Sequence, residues 1–402
     1  MTDSLIHDWN LIDSTPPPTP PQLDDETLRD GLQSPSVKTP SLEAMVEILH
    51  LMSKLGIESA NIGLPGAGPH VEASALRLAQ EIVSEDLGIF PNCAARTLQV
   101  DIEPIVRIQQ ATGLRMEAST FIGSSPIRQY AEGWTIEQMI QSTQTAVSFA
   151  VENGLEVMMV TEDTTRAHPD TLKALYGTAI ACGAKRICVC DTVGHATPDG
   201  VRSLVGFVRA FADEEGDDIQ VDWHGHRDRG LDLVNTLVAV ESGANRIHGT
   251  ALGIGERVGN TPMDQILVNL KLLGWIKRDL SFLSDYVHKV SKATGVPIPK
   301  GYPVIGEDAF RTGTGVHAAA VIKAMDKGDH WLADRVYSGV PAGDFGLRQK
   351  IEVGPMSGKS NVVFWLEEHG YEASEERVNR LFEAAKVSRE ICDEDLLHNL
   401  AQ

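Results

Sequence analysis

An α/β fold, a (β/α)8 TIM barrel followed by a smaller, mainly helical C-terminal region, is predicted by three features of the sequence. Between residue 22 and about residue 269, short apolar runs alternate with longer stretches whose apolar residues recur at three- and four-residue spacing, as in strand–helix units. Eight such runs occur, more than an open doubly wound sheet usually carries. No Gly-x-Gly-x-x-Gly follows an early strand, so the dinucleotide-binding alternative lacks its phosphate cradle.

Taken in order, residues 1–21 end in a run of prolines that donate no backbone hydrogen bonds, which predicts an extended arm outside the fold. Strands are expected at 22–25, 56–62, 89–94, 115–121, 155–161, 186–191, 219–225 and 246–250. Helices are expected at 41–55, 70–87, 100–112, 135–153, 169–182, 197–214 and 230–242. Pro40, Pro69, Pro169 and Pro198 stand near helix starts, where the missing N–H costs nothing. The rhythm then stops; a helical pattern at 283–294, a loop at 295–303, a Gly-rich segment at 310–317 and a helical end at 374–400 follow. A chain of 402 residues can bury one large core and an appendage. The expected division is a proline-rich arm at 1–21, a catalytic barrel at 22–280 and C-terminal subdomains, a linker or lid and a helical end, at 281–402.

Composition excludes several functions. Apolar residues at 42% and charged residues at 23% match a soluble globular enzyme. The formal charge of −21, without a Lys/Arg block, opposes binding to nucleic acid or anionic membranes. Cys93, Cys182, Cys188, Cys190 and Cys392 are odd in number and form no CxxC, which fits free thiols in a reducing compartment; Cys188 and Cys190 read as strand packing residues. The N-terminus has no basic region with an apolar core, and no later run reaches the roughly 18–20 apolar residues of a membrane span, so a cytoplasmic protein is expected.

The chemistry is expected at the C-terminal ends of the strands, where barrels of this kind build their sites. Alternate residues of a strand share a face, so His224 and His226 in Trp-His-Gly-His can present two imidazoles to one point. Closure makes strands seven, eight and one consecutive, which brings Asp30 and Asn260 to the same rim. Two imidazoles, a carboxylate and an amide oxygen suit a divalent Mg, Mn, Zn or Co ion with positions open for a chelating 2-oxo acid. Arg29, beside Asp30, could stabilise a developing oxyanion rather than form a mere surface pair. Blander readings hold elsewhere. His195 is slightly favoured as a helix-start histidine, His248 as a satisfied barrel histidine, and Asp228 as a residue orienting its own loop. Ser357-Gly-Lys-Ser lacks the upstream spacing of a P-loop and reads as a structural turn.

Thr27-Leu-Arg-Asp-Gly-Leu-Gln33, the His-x-His-x-Asp-x-Gly of 224–230 and Gly253-x-Gly-Glu-Arg-x-Gly-Asn260 resemble the DRE-TIM metallolyase superfamily. The likeness is greatest to the 2-isopropylmalate, homocitrate and citramalate synthases. Glu162-Asp163, Arg166, the 191–198 segment and Gly306-Glu-Asp-Ala-Phe through His317 also look like the family's, so the resemblance covers roughly 22–370. It implies a transferase of amino-acid biosynthesis that converts an acyl group to an alkyl on transfer. Acetyl-CoA loses a methyl proton, its enolate attacks the ketone of a 2-oxo acid, and thioester hydrolysis releases CoA and a 2-substituted malate.

By that resemblance Asp30, His224 and His226 would be metal ligands, with Asn260 in or next to the coordination sphere. Arg29 would be the electrostatic catalyst, Gln33, Arg96 and Thr192 would contact the 2-oxo acid together with Arg29, and Glu162 and His317 would move protons. In relatives the last histidine comes from a partner subunit, which implies a domain-crossed homodimer. Three positions depart from the pattern: Asn61 stands for a usual glutamate, Arg227 for an asparagine and Arg128 for a histidine. They suggest an acceptor more anionic than, or otherwise unlike, 2-oxoisovalerate. By the same resemblance, leucine feedback through the further C-terminal domain of many isopropylmalate synthases is not expected. Alternatives are homocitrate- or citramalate-type acceptor choice, carbon–carbon cleavage like that of HMG-CoA lyase, or a ligand-binding barrel without turnover. Against the lyase, its cysteine-bearing loop is missing before Gly259-Asn260.

Overall fold

A computed structural model describes residues 5–11, 16–216 and 218–402, with 1–4 and 12–15 of the expected arm outside the described residues. The chain divides into two compact units: Met1–Arg278 with Asp285–Val296, and Asp279–Ser284 with Pro297–Gln402.

The first unit is a closed, all-parallel barrel, in order β1 Gln22–Asp25, β2 Ser59–Asn61, β3 Phe90–Arg96, β4 Glu117–Gly123, β5 Glu156–Glu162, β6 Arg186–Asp191, β7 Gln220–Gly225 and β8 Arg246–Gly249. β8 closes onto β1 with Gln22 opposite Arg246 and Asp25 opposite Gly249. The surrounding helices are α1 Leu42–Lys54, α2 Pro69–Ser84, α3 Gln99–Thr112, α4 Pro126–Glu132, α5 Ile136–Glu152, α6 Pro169–Ala181, α7 Pro198–Glu215, α8 Asp232–Glu241 and α9 Met263–Leu272. Four of them start with Ser or Thr capping the first turn, as Thr135 does in a capping box with Gln138. Helices α4 and α9 are additions to the seven expected. The signal for α4 is Ser125-Pro126, a cap followed by a proline at the first helical position.

Period-two alternation explains the interior. On β7, Val221 and Trp223 face the helices, the Trp223 indole N–H donating to Thr236 Oγ1 on α8 at 3.2 Å, while Asp222 and His224 face inward. The inward residues form a buried ionic floor. Arg246, 1% exposed, donates to Asp222 at 2.6 Å and Glu117 at 2.5 Å, and Arg186 donates to Asp222 at 2.6 Å. Cys188 and Cys190 also face inward and border the barrel's cavity with their sulfurs 3.8 Å apart, so they line it as well as pack the strand.

α10 Leu283–Thr294 lies beyond the expected barrel boundary at 280, yet its residues from Asp285 onward belong to the barrel unit. Tyr286, Val287 and Val290 on this helix are fully buried, and the Tyr286 hydroxyl donates to the Asp25 carboxyl, an outward-facing residue of β1. Burial pushes that carboxyl up to about 7, against hydrogen bonds from Thr27 and Tyr286 that pull it down.

The second unit holds α11 Gly315–Asp326, α12 His330–Arg335, α13 Lys359–Glu368, α14 Glu375–Val387 and α15 Glu394–Ala401, with a small parallel pair of β9 Arg311–Thr312 and β10 Lys350–Ile351. One core joins α11 and α12 through Ala318, Val321 and Ala333. Another joins α13, α14 and α15 through Trp365, Leu381 and Leu397. The expected Gly-rich segment proves to be β9 and the start of α11, and the turn at Ser357-Gly-Lys opens α13 with Gly358 as its N-cap. Among the described residues no helix is long and apolar enough to cross a membrane.

Candidate active site and metal centre

At the C-terminal mouth of the barrel, a cavity of about 270 Å³ is bordered by Arg29, Asp30, Gln33, Glu162, Thr192, His224 and His226. Strands β2 to β8 and the segment that follows β1 all contribute, so closure brings together residues nearly 200 positions apart. Phe121, Met158 and Val160 give it one apolar wall.

Three donors converge. His224 Nε2 lies 3.2 Å from Asp30 Oδ2 and 3.2 Å from His226 Nε2, and His226 Nε2 is 3.7 Å from Asp30 Oδ2. Asn260 is brought alongside by the loop after β8. Asn260 pairs with His226 in an isolated antiparallel bridge, and the Arg227 N–H donates to the Gly259 carbonyl at 3.1 Å. Gly259 (φ +107°) is required there, because a Cβ would lie 1.8 Å from the Gly253 carbonyl oxygen. The Asn260 amide nitrogen donates to the Ile254 carbonyl at 3.3 Å, which leaves its Oδ1 buried without a partner, as is Asp30 Oδ1. Two unspent oxygen acceptors beside two facing imidazole nitrogens form a donor set that fits a divalent cation.

The local charges are tightly balanced. Burial pushes the Asp30 carboxyl up, but Arg29 and His224 outweigh it and hold it well below the usual carboxylate range. Burial lowers the His224 imidazole, and Glu26 and Asp30 overcome this and raise it well above its ordinary value. His226 is lowered to about 4 by burial and by the charge on His224. The neighbouring carboxylates thus favour the charged form of His224, and a divalent cation at the three donors would take over the role of that charge.

Glu26 was not singled out in the sequence, although it is central. It is 2% exposed, pairs with Arg29, and lies 3.2 Å from His224 Nδ1 and 3.3 Å from His248 Nδ1. A carboxylate on the far nitrogen fixes the ring so that Nε2 faces Asp30. The available signal was alternation: Asp24 and Glu26 share the inward face of β1. His248 is a buried barrel histidine whose Nε2 pairs with Asp222 at 2.9 Å while its Nδ1 has no hydrogen-bond partner among the described residues; burial lowers it, but Cys188, Asp222 and Asp24 raise it to about 10.

Arg29 is mostly buried, paired with Glu26 and 3.6 Å from Asp30, and its Nε is without a partner. Glu162 is raised by burial, against Arg128 and Arg29. Gln33 stands exposed at the rim. Thr192 Oγ1 accepts from the Asp163 N–H at 2.8 Å, which ties β5 to β6.

Arg96 departs from expectation: Asp101 in the first turn of α3 captures its guanidinium at 2.7 and 2.9 Å. It borders a neighbouring cavity of about 550 Å³ rather than the first one. Arg128 and Trp134 line that second cavity too, and Phe121 and Glu162 border both. His317 lies in the other unit, exposed on the first turn of α11 and stacked on Tyr337 with ring centroids 4.1 Å apart. Asn61 lines the first cavity, its Nδ2 buried and without a partner. Arg227 does not add charge to the cavity; it lies against the 252–259 loop and donates to the Leu252 carbonyl at 3.4 Å. His195 is exposed and lies outside both cavities, and Asp228 ion-pairs with Arg257 at 2.8 Å, which anchors its loop.

Residues 20–289 match the HMGL-like family profile. The chain is 33% identical, over 90% of its length and 86% of the relative's, to homocitrate synthase AksA of Methanopyrus kandleri. It is 31% identical to a probable 2-isopropylmalate synthase of the same organism, over 90% of this chain and 68% of that one. It is 29% identical to (R)-citramalate synthase CimA of Methanocaldococcus jannaschii, over 93% and 72%. Among solved structures, the HMG-CoA lyase of Bacillus subtilis superposes with a TM-score of 0.60 at 19% identity, covering 71% of this chain and 98% of that one. That likeness speaks to the fold alone.

Proposed function

The chain belongs to the HMGL-like family, and from that premise we propose that it condenses acetyl-CoA with a 2-oxo acid to give a 2-substituted malate and free CoA. The observation that carries this reading is the convergence of Asp30, His224 and His226 beside Arg29 at the barrel mouth. Relatives that align over 90% of this chain at 31–33% identity, the homocitrate and 2-isopropylmalate synthases, support synthesis over cleavage.

A divalent cation held by Asp30, His224 and His226, with Asn260 alongside, would polarise the acceptor's ketone. The protein's own groups do the rest. Glu26 orients His224, and Arg29 presents its unspent N–H to the oxygen that gains charge as the new carbon–carbon bond forms. Glu162, its carboxyl raised by burial, is suited to exchange a proton with the reacting carbon or oxygen. Gln33 and Thr192 border the acceptor's end of the cavity. His317 is assigned to proton transfer from a partner subunit in a homodimer. Water then cleaves the thioester and the thiol leaves.

The acceptor is proposed to carry a second anionic group. The groups assigned to hold it are Arg128, which borders the adjoining cavity 3.9 Å from Glu162 and 3.2 Å from Glu132, and the amide N–H of Asn61. With acetyl-CoA and a panel of 2-oxo acids, reading thiol release, kcat/KM is expected to be higher for dicarboxylic than for branched apolar acceptors. Arg128→Ala should lower kcat/KM for the dicarboxylic acceptor about 10- to 100-fold, the ~1.5–3 kcal/mol of a hydrogen bond to a charged group. The apolar acceptors should change little. A clear preference for 2-oxoisovalerate in the wild type would refute the anionic acceptor and leave the condensation standing.

A further inference from the structure

We propose that His369, Glu394 and His398 form a second divalent-metal site, in the C-terminal unit, suited to a borderline transition cation such as zinc. One ligand atom from each lies within 4.8 Å of the others. His369 caps the C-terminus of α13, and Glu394 and His398 stand one turn apart on the same face of α15. The His369 and His398 rings are 5.2 Å apart at 79°, and His369 Nε2 is 3.7 Å from Glu394 Oε2.

Both imidazoles are held by the nitrogen that points away from the cluster. His369 Nδ1 is 2.7 Å from the Trp365 carbonyl oxygen, and His398 Nδ1 is 3.0 Å from the Tyr371 hydroxyl. A carbonyl can only accept, so His369 Nδ1 carries a proton and the neutral ring turns a lone pair on Nε2 towards the carboxylate. Two acceptors face each other there at 3.7 Å, an arrangement that a cation between them would stabilise. A hydrogen bond on the far nitrogen is how proteins orient metal-binding histidines. The nearly buried Trp365 indole fixes the geometry further: it stacks on His369 at 4.2 Å, meets the edge of His398 at 5.0 Å and donates Nε1–H to Glu394 at 3.2 Å. His369 and Glu394 remain 27% and 49% exposed, so an ion can reach them from solvent and a modest turn of the carboxylate closes the set. Two imidazoles among three donors favour zinc, nickel, copper or cobalt over magnesium or calcium. The ion would pin α15 to the end of α13.

The test is the zinc content of the full-length protein after saturation with zinc and gel filtration, for wild type, His369→Ala, His398→Ala and the shape-preserving Glu394→Gln. The wild type is expected to hold two zinc ions per chain and each variant one, with thiol release unchanged and zinc slowing amide exchange over residues 390–402 in the wild type alone. A fall from one to none would keep this site and count against cation binding in the barrel. Equal zinc content in the wild type and folded Glu394→Gln, or exchange that zinc leaves unaltered, overturns the proposal.

Discussion

Arg29→Ala is expected to lower kcat for the condensation by about 10²- to 10³-fold, the usual cost of removing one preorganised donor from a developing oxyanion. KM for the 2-oxo acid should move only a few-fold, since the lost interaction strengthens as charge develops. The geometry supports this split: Arg29 is held by Glu26 and Asp30, and its Nε has no other partner among the described residues. Steady-state kinetics at saturating acetyl-CoA check it. A rise in KM with kcat intact would make Arg29 a ground-state binding residue instead.

The second large effect concerns stability. Arg246 is 1% exposed and supplies positive charge to Asp222 and Glu117 in the barrel floor. Arg246→Met removes it and leaves Glu117 with Arg186, at 3.4 Å, as its remaining cation among the described residues. Breaking one partner of a buried ionic cluster costs about 3–5 kcal/mol, because the remaining charge stays desolvated. The urea midpoint should fall accordingly. Adding Glu117→Leu should restore part of the loss, since it removes the orphaned carboxylate. A midpoint within experimental error of the wild type would show that water or protonation relieves Glu117 without cost.

Much of this was legible in the residues. The eight strands follow from short apolar runs that alternate with helical patterns, and the barrel's closure follows from their number. The rim cluster was readable because His224 and His226 alternate on one strand and the motif around Asp30 falls at the end of another. What escaped has physical causes. Glu26 looks like one more acid in Asp-Asp-Glu; its importance comes from β1 lying between β2 and β8, which no local pattern states. The position of Arg96 at the adjoining cavity was not legible because its capture by Asp101, five residues on, is a side-chain choice that spacing does not dictate. Arg227 likewise follows the glycine-shaped loop rather than the cavity. The boundary at 280 ran too early because α10 reads as any amphipathic helix, while its burial against β1 depends on Tyr286 meeting Asp25. In the tail, short helices such as α12 carry too few turns for a periodic signal.

The central claim is that this barrel joins carbon to carbon. It is tested most directly by incubating the protein with acetyl-CoA labelled in the acetyl methyl carbon, a divalent cation and each 2-oxo acid in turn. Free thiol and label are then followed together, with His226→Ala as the control. The account predicts one thiol released for each labelled 2-substituted malate formed with the preferred acceptor, and neither from the control. Label remaining in acetate or acetyl-CoA with every acceptor, or a thioester that loses an acetyl unit instead of gaining one, would contradict it.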